Sequence, residues 1–162
     1  NQITSIIESL KKNYPLEIGV HTHNDFGMGT ANAISALETG ADWADVSALG
    51  LGERTGCARL EEVVGFLALN RGRNYKISQL PKLSQLVAKY SRREIAPNHP
   101  LVGSEIFACE TGLHLLGLEE DPRTYEPYQP ENVGAKRRLI YGEKIGKKNI
   151  LHMLQNCKAT FN

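Results

Sequence analysis

The run Leu16-Glu17-Ile18-Gly19-Val20-His21-Thr22-His23-Asn24-Asp25 decides how this chain folds. Leu16 to Val20 is short, apolar and β-branched, the composition of a buried strand. The polar residues His21 to Asp25 then fall at that strand's carboxyl end, and Gly27 and Gly29 mark a turn. Upstream, Ile3, Ile6, Ile7 and Leu10 recur at helical spacing, and Tyr14-Pro15 stops that helix. Downstream, Asn32 to Thr39 reads as a helix with Ala33, Ile34 and Leu37 facing inward and Gly40 as its cap. Trp43 to Leu49 reads as a second buried strand. It leads into the glycine-rich loop Gly50-Leu51-Gly52-Glu53-Arg54-Thr55-Gly56. Leu60, Val63, Val64 and Leu67 then give a third helix that closes near Gly72.

Strands that alternate with helices imply an α/β chain with parallel strands and right-handed crossovers. In such folds function collects at the carboxyl ends of the strands. Both polar clusters, His21 to Asp25 and Gly52 to Gly56, belong to that end. Two strands make a poor sheet, so this pattern calls for further strands from a partner chain or from a missing N-terminal part. After about residue 75 the character changes. Leu80, Leu83, Leu86, Val87 and Tyr90 make another helix, and Pro97-Asn98-His99-Pro100 breaks the chain. Glu105 to Gly117 reads as partly helical, and Asp121 to Pro127 as a loop. The expected division is residues 1–74, alternating α/β, followed by residues 75–162, helical or mixed. Lys136, Arg137, Arg138, Lys144, Lys147 and Lys148 form a basic run that reads as a solvated face.

The 162 residues are 41% apolar and 23% charged, the composition of an ordinary soluble domain. Nineteen Lys+Arg against 18 Asp+Glu leave a net charge of +1, which offers no electrostatic case for nucleic acid or an anionic membrane. No apolar run approaches the roughly 20 residues that span a bilayer. The first residue is Asn1, and the first segment patterns as an amphipathic helix rather than a signal peptide. The expectation is a cytoplasmic chain and a piece of something longer. Cys57, Cys109 and Cys157 are too few and too widely spaced for a disulfide framework or a paired-cysteine zinc motif.

His21 and His23 stand two residues apart, so on a strand both imidazoles point to one face and can share a divalent metal. Taken alone, such a pair is also what two polar surface histidines look like. Asn24 and Asp25 can orient the ligands or cap the following helix. Glu53-Arg54 is either an exposed ion pair in a turn or a site pair in which Arg54 holds a carboxylate in bidentate geometry. Spacing alone makes neither His114 nor Tyr125 catalytic. Tyr125 reads as a loop aromatic between Pro122 and Pro127.

Taken together in order, these residues resemble one family. His21-Thr22-His23-Asn24-Asp25 and Gly50 to Gly56 are similar to the α-isopropylmalate/homocitrate synthase family. So are Glu110-Thr111-Gly112-Leu113-His114, Asp121-Pro122-Arg123-Thr124-Tyr125-Glu126 and Gly142-Glu143-Lys144-Ile145-Gly146-Lys147. The resemblance spans nearly the whole chain. It implies the last two strands of a (β/α)8 TIM barrel followed by a mostly helical subdomain. It implies an acyltransferase that condenses acetyl-CoA, as co-substrate, with a 2-oxo acid on a divalent metal (Mg, Mn or Zn). By the same resemblance His21 and His23 are metal ligands, and Asn24, Glu53 and Arg54 belong to the site loops. His114 and Tyr125 match a catalytic His and Tyr that reach a neighbouring barrel's site in an oligomer. Cys57 stands where many members carry an Asn able to ligate the metal; it reads as a spectator or a softer ligand. Ile145 replaces the family's Ser. The metal-binding acid and the other substrate residues belong to strands one to six, so the expected partner is the N-terminal half of the barrel, in the same chain or as a separate subunit. The chain ends soon after the late loop, without the regulatory domain of leucine-controlled members. That tilts the expectation toward homocitrate synthases, including those that serve nitrogenase cofactor assembly, with an isopropylmalate or citramalate synthase-type condensation as the alternative.

Two other classes stay open. An acyl-CoA lyase would share the histidine pair, but Glu53-Arg54 argues against it, because the lyases of this resemblance carry a Gly-Gly-Cys loop there. A non-catalytic interaction subunit would keep the motifs without turnover.

Overall fold

The computed structural model describes residues 2–110, 117, 118 and 120–140. Helix α1 (Gln2–Asn13) leads to strand β1 (Gly19–His21), helix α2 (Gly29–Glu38) and strand β2 (Trp43–Asp45). Helix α3 (Leu60–Arg71) and helix α4 (Leu80–Ser91) follow. Strands β3 (Ala108–Cys109) and β4 (Arg138–Leu139) close the described part. β1 and β2 pair in parallel, Gly19 opposite Trp43, Val20 opposite Ala44 and His21 opposite Asp45. The α/β alternation is the one expected from the sequence.

Helix α1 turns only part of its apolar stripe inward. Ile7 is buried and Ile3 packs beside it, whereas Ile6 and Leu10 are exposed. Ile7, Val20, Ala36 and Ala41 form one core cluster. Ala33, Ala58 and Val63 form a second, between α2 and α3. A third, Ile77, Leu80, Leu101, Phe107 and Val133, packs on Val64, Ala68 and Leu69 of α3. That last cluster carries apolar packing continuously past residue 75. Gly72 ends α3 in the left-handed region, φ 63°, as its position implies.

Several expectations are corrected. The strands are shorter than the apolar runs: Leu16 lies outside β1 and is exposed, and β2 stops at Asp45. Neither strand is buried on both faces; Trp43 is 57% exposed. What ends β2 is local hydrogen bonding. The Ser47 hydroxyl donates to the Leu51 carbonyl, and the Leu49 amide donates to the Glu61 carboxylate at 3.1 Å. Together they bend residues 48–50 into a 3₁₀ turn with Leu49 at φ 59°. The region after 75 is mixed rather than mostly helical among the described residues. α4 is followed by 3₁₀ turns at Pro122–Thr124 and Pro130–Val133 and by the parallel pair β3–β4. Within the stretch expected to be partly helical, Ala108 and Cys109 are strand, because Arg138 and Ile140 donate to the carbonyls of Phe107 and Cys109. No helix among the described residues is long and apolar enough to cross a membrane.

Candidate metal centre

The parallel register of β1 and β2 builds the centre. His21 ends β1 and Asp45 ends β2, side by side. The His21 Nδ1 lies 3.2 Å from an Asp45 carboxylate oxygen. A neutral ring donating there keeps the lone pair on its other nitrogen, Nε2, the usual way a carboxylate readies a histidine for a cation. Two residues on, the His23 ring meets His21 edge-to-face, with centroids 5.0 Å apart and the two Nε2 atoms 3.2 Å apart.

The glycine-rich loop closes over this pair. His23 and Cys57 form an isolated antiparallel bridge, flanked by Asn24 N–H to Gly56 C=O and Ala58 N–H to Thr22 C=O. Flanking bonds of this kind leave the bridged residues as the close, non-hydrogen-bonded pair, in which side chains approach most nearly. The Cys57 Sγ accordingly sits 4.0 Å from His21 Nε2. One ligand atom from each of His21, His23 and Cys57 falls within 4.8 Å of the others.

The residues present fit a divalent cation. Two imidazole nitrogens sharing a tetrahedral ion stand about 3.3 Å apart, and the two Nε2 atoms here are 3.2 Å apart. The Nδ1 of His23 is buried without a hydrogen-bond partner, so the polar contact of this ring runs through the nitrogen turned toward His21.

Arg54 turns away from its neighbour Glu53 and grips Asp25 with two parallel bonds of 2.9 and 3.0 Å. The guanidinium holds the Asp25 carboxyl down to about 2, well below the usual carboxylate range. Arg54 thus pairs with an acid of the His21 to Asp25 cluster rather than with Glu53, and this exposed pair ties the two loops together. Asn24 is a structural tie: its side-chain oxygen accepts from the Gly29 amide at 2.9 Å at the start of α2. Glu53 is exposed at the loop tip, with its carbonyl accepting from Gly56. A cavity of about 300 Å³ lies between this loop and residues 93–99; of its arginines, Arg54 and Arg59 are already paired with Asp25 and Glu62.

Tyr125 is 49% exposed and lines a separate cavity of about 70 Å³ with Ile106, Phe107, Cys109 and Leu118. That cavity shares no residue with the histidine cluster. His114, Cys157 and the loop Gly142 to Lys147 lie outside the described residues, as do Lys144 and the rest of the basic run beyond Arg138. Sequence reasoning missed Asp45. Its signal was an acid at the end of the second strand, matching the histidine at the end of the first, and it becomes legible only once the register is known.

The chain is similar to several known synthases. The chain is 45% identical over 143 residues to a 2-isopropylmalate synthase of Methanocaldococcus jannaschii, covering 87% of the chain and 28% of that protein. It is 43% identical over 142 residues to homocitrate synthase 1 of a Nostoc species, covering 86% and 38%. It is 41% identical over 151 residues to the (R)-citramalate synthase of M. jannaschii, covering 92% and 31%. The chain therefore spans about a third of the length of these relatives. A solved structure described as the N-terminal domain of an aldolase-like protein of Bacteroides vulgatus superposes with a TM-score of 0.50 at 23% identity, over 56% of this chain and 31% of that one, and shows the fold alone. Residues 101–162 match the domain described as homocitrate synthase post-HMGL domain-like. Residues 1–87 match the family described as HMGL-like, and the chain belongs to that family.

Proposed function

We propose that this chain forms part of an acyltransferase that condenses acetyl-CoA with a 2-oxo acid, and that 2-oxoglutarate, giving homocitrate, is its acceptor. The observation that carries the reading is the meeting of His21 and His23 at the carboxyl end of β1, with Asp45 of the adjacent strand behind His21. The synthases among the relatives support the reaction class, and the homocitrate synthase description of residues 101–162 supports the acceptor. The 45% identity to a 2-isopropylmalate synthase favours a second acceptor, 2-oxoisovalerate.

In this reading His21 and His23 hold the cation through Nε2, and Asp45 fixes the His21 ring. When bound, the divalent ion supplies Lewis acidity to the acceptor's carbonyl. The Arg54–Asp25 pair keeps the glycine-rich loop closed against the histidines. His114, assisted by Tyr125, serves the proton transfer at the acetyl methyl group of acetyl-CoA. The resulting carbanion adds to the carbonyl carbon of the acceptor, and water then cleaves the thioester to release CoA. We place the remaining barrel strands and the acid ligand in an N-terminal half that completes the site, in the same chain or in a partner subunit, with oligomer formation bringing His114 and Tyr125 to a neighbouring barrel. Service to nitrogenase cofactor assembly is a narrower form of the same proposal.

CoA release by the complete enzyme with 2-oxoglutarate, 2-oxoisovalerate, pyruvate and oxaloacetate tests the acceptor. The expected result is the highest kcat/KM with 2-oxoglutarate; a clear preference for 2-oxoisovalerate selects the second reading. The chain alone is expected to be inactive, and CoA release by it would overturn the shared-site proposal.

A further inference from the structure

We propose that Cys57 is a metal ligand: His21, His23 and the Cys57 thiolate form a two-histidine, one-thiolate centre that selects a thiophilic cation of the zinc class over magnesium or manganese. The inference rests on the reading of His21 and His23 as a metal pair and adds the chemistry of the sulfur to it.

Three observations carry it. First, the sulfur is placed by backbone hydrogen bonds rather than by chance contact. Bonds on either side of the His23–Cys57 bridge fix their register, and the side chains of such a pair share one face. Second, the loop leaves room for the sulfur. A Cβ at Gly52 would stand 2.6 Å from the Cys57 Sγ, and one at Gly56 would stand 1.9 Å from the Gly50 carbonyl oxygen. A side chain at either position would displace the thiol or the turn that aims it. Third, the separations suit a small tetrahedral ion. Nitrogen and sulfur ligands on zinc stand about 3.6 Å apart, and Sγ is 4.0 Å from His21 Nε2.

Ligand chemistry then decides which ion. Magnesium demands octahedral oxygen donors and sheds water reluctantly. Two imidazoles and a thiolate leave the only oxygens to the acid ligand of the N-terminal half and to water, a mixed donor set that zinc and cobalt accept readily and magnesium does not. On binding, a sulfur–metal bond forms, the S–H bond breaks and the thiol proton passes to solvent; no electrons are transferred.

Cobalt(II) titration of the metal-free complete enzyme tests the proposal. The expected spectrum carries a thiolate-to-cobalt charge-transfer band in the near ultraviolet beside the visible ligand-field bands. Cys57→Ser should keep the visible bands, lose the charge-transfer band and weaken zinc relative to manganese on the order of tenfold or more. Zinc should also block alkylation of Cys57 in the wild-type protein, read by peptide mass mapping, which needs no variant to fold. Visible bands without charge transfer, or alkylation of Cys57 undiminished by saturating zinc, would overturn the ligand role and leave the histidine pair standing. Undiminished cobalt binding in His21→Ala would overturn the histidine reading itself.

Discussion

At Gly56 the backbone adopts φ 87°, a conformation that only glycine takes without strain, and the Gly50 carbonyl oxygen occupies the place of any Cβ. Gly56→Ala is therefore expected to cost about 2 kcal/mol in urea unfolding and to weaken cation binding together, because Cys57 follows directly. A variant with wild-type unfolding and binding would mean that the loop absorbs the methyl group. His21→Ala in the complete enzyme should remove metal and activity together; full metal occupancy would count against His21 as a ligand. The contrast between these residues shows what sequence can disclose. The i, i+2 spacing of His21 and His23 is local, so a strand pattern suffices to bring them to one face. Cys57 and Asp45 reach the same place through a bridge and a register, which involve no sequence proximity. The bidentate capacity of Arg54 was legible, but its choice of Asp25 over Glu53 was not, because both acids are near in different senses.

Elements, rather than residues, hold the glycine-rich loop in place. Glu61, in the first turn of α3, is 1% exposed and lies 2.7 Å from the Nε2 of buried His99, while its other oxygen accepts from Leu49 at positive φ. One carboxylate thus joins α3, the segment after α4 and the turn that ends β2. His99→Ala leaves that oxygen buried without its partner, at an expected loss of about 1–3 kcal/mol in chemical denaturation. Glu61→Gln keeps an acceptor for Leu49 and should lose less; the reverse order would place the stabilisation elsewhere. Tyr128, on the loop that follows the Pro122–Thr124 turn, packs edge-to-face on Phe107 at 5.5 Å. Burial pushes its phenol above the ordinary value of 10, partly offset by a backbone hydrogen bond with Leu101. A raised native value favours the protonated ring, so this contribution is complete below pH 10 and is lost as pH climbs through the raised value. Denaturation midpoints measured above pH 10 should fall more steeply in the wild type than in Tyr128→Phe, and equal slopes would refute this assignment. Helices were the legible elements, since their apolar spacing and the Gly72 stop are periodic signals. β3 and β4 were not, because two-residue strands have no period to read.

Across the whole molecule, the β1–β2 pair leaves exposed faces that the proposed N-terminal strands would cover. Trp43, the only tryptophan, is 57% exposed and lies over the bare backbone of Gly19. Its emission is expected to shift to shorter wavelength in the complete enzyme relative to the chain alone; an unchanged spectrum would argue that the remaining strands do not dock there. The bridge between His23 and Cys57 also shapes how the molecule assembles. His21 and His23 are two residues apart, whereas His21 and Cys57 are 36 apart. The pair can chelate an ion weakly before the chain folds, but adding the sulfur requires closing the long loop, at roughly 3 kcal/mol of chain entropy. On the proposed ligation by Cys57, ion capture becomes a two-step event, a rapid loose encounter followed by consolidation as the loop docks. In that scheme any affinity of the denatured chain makes the ion raise the folding equilibrium by less than its grip on the native state implies.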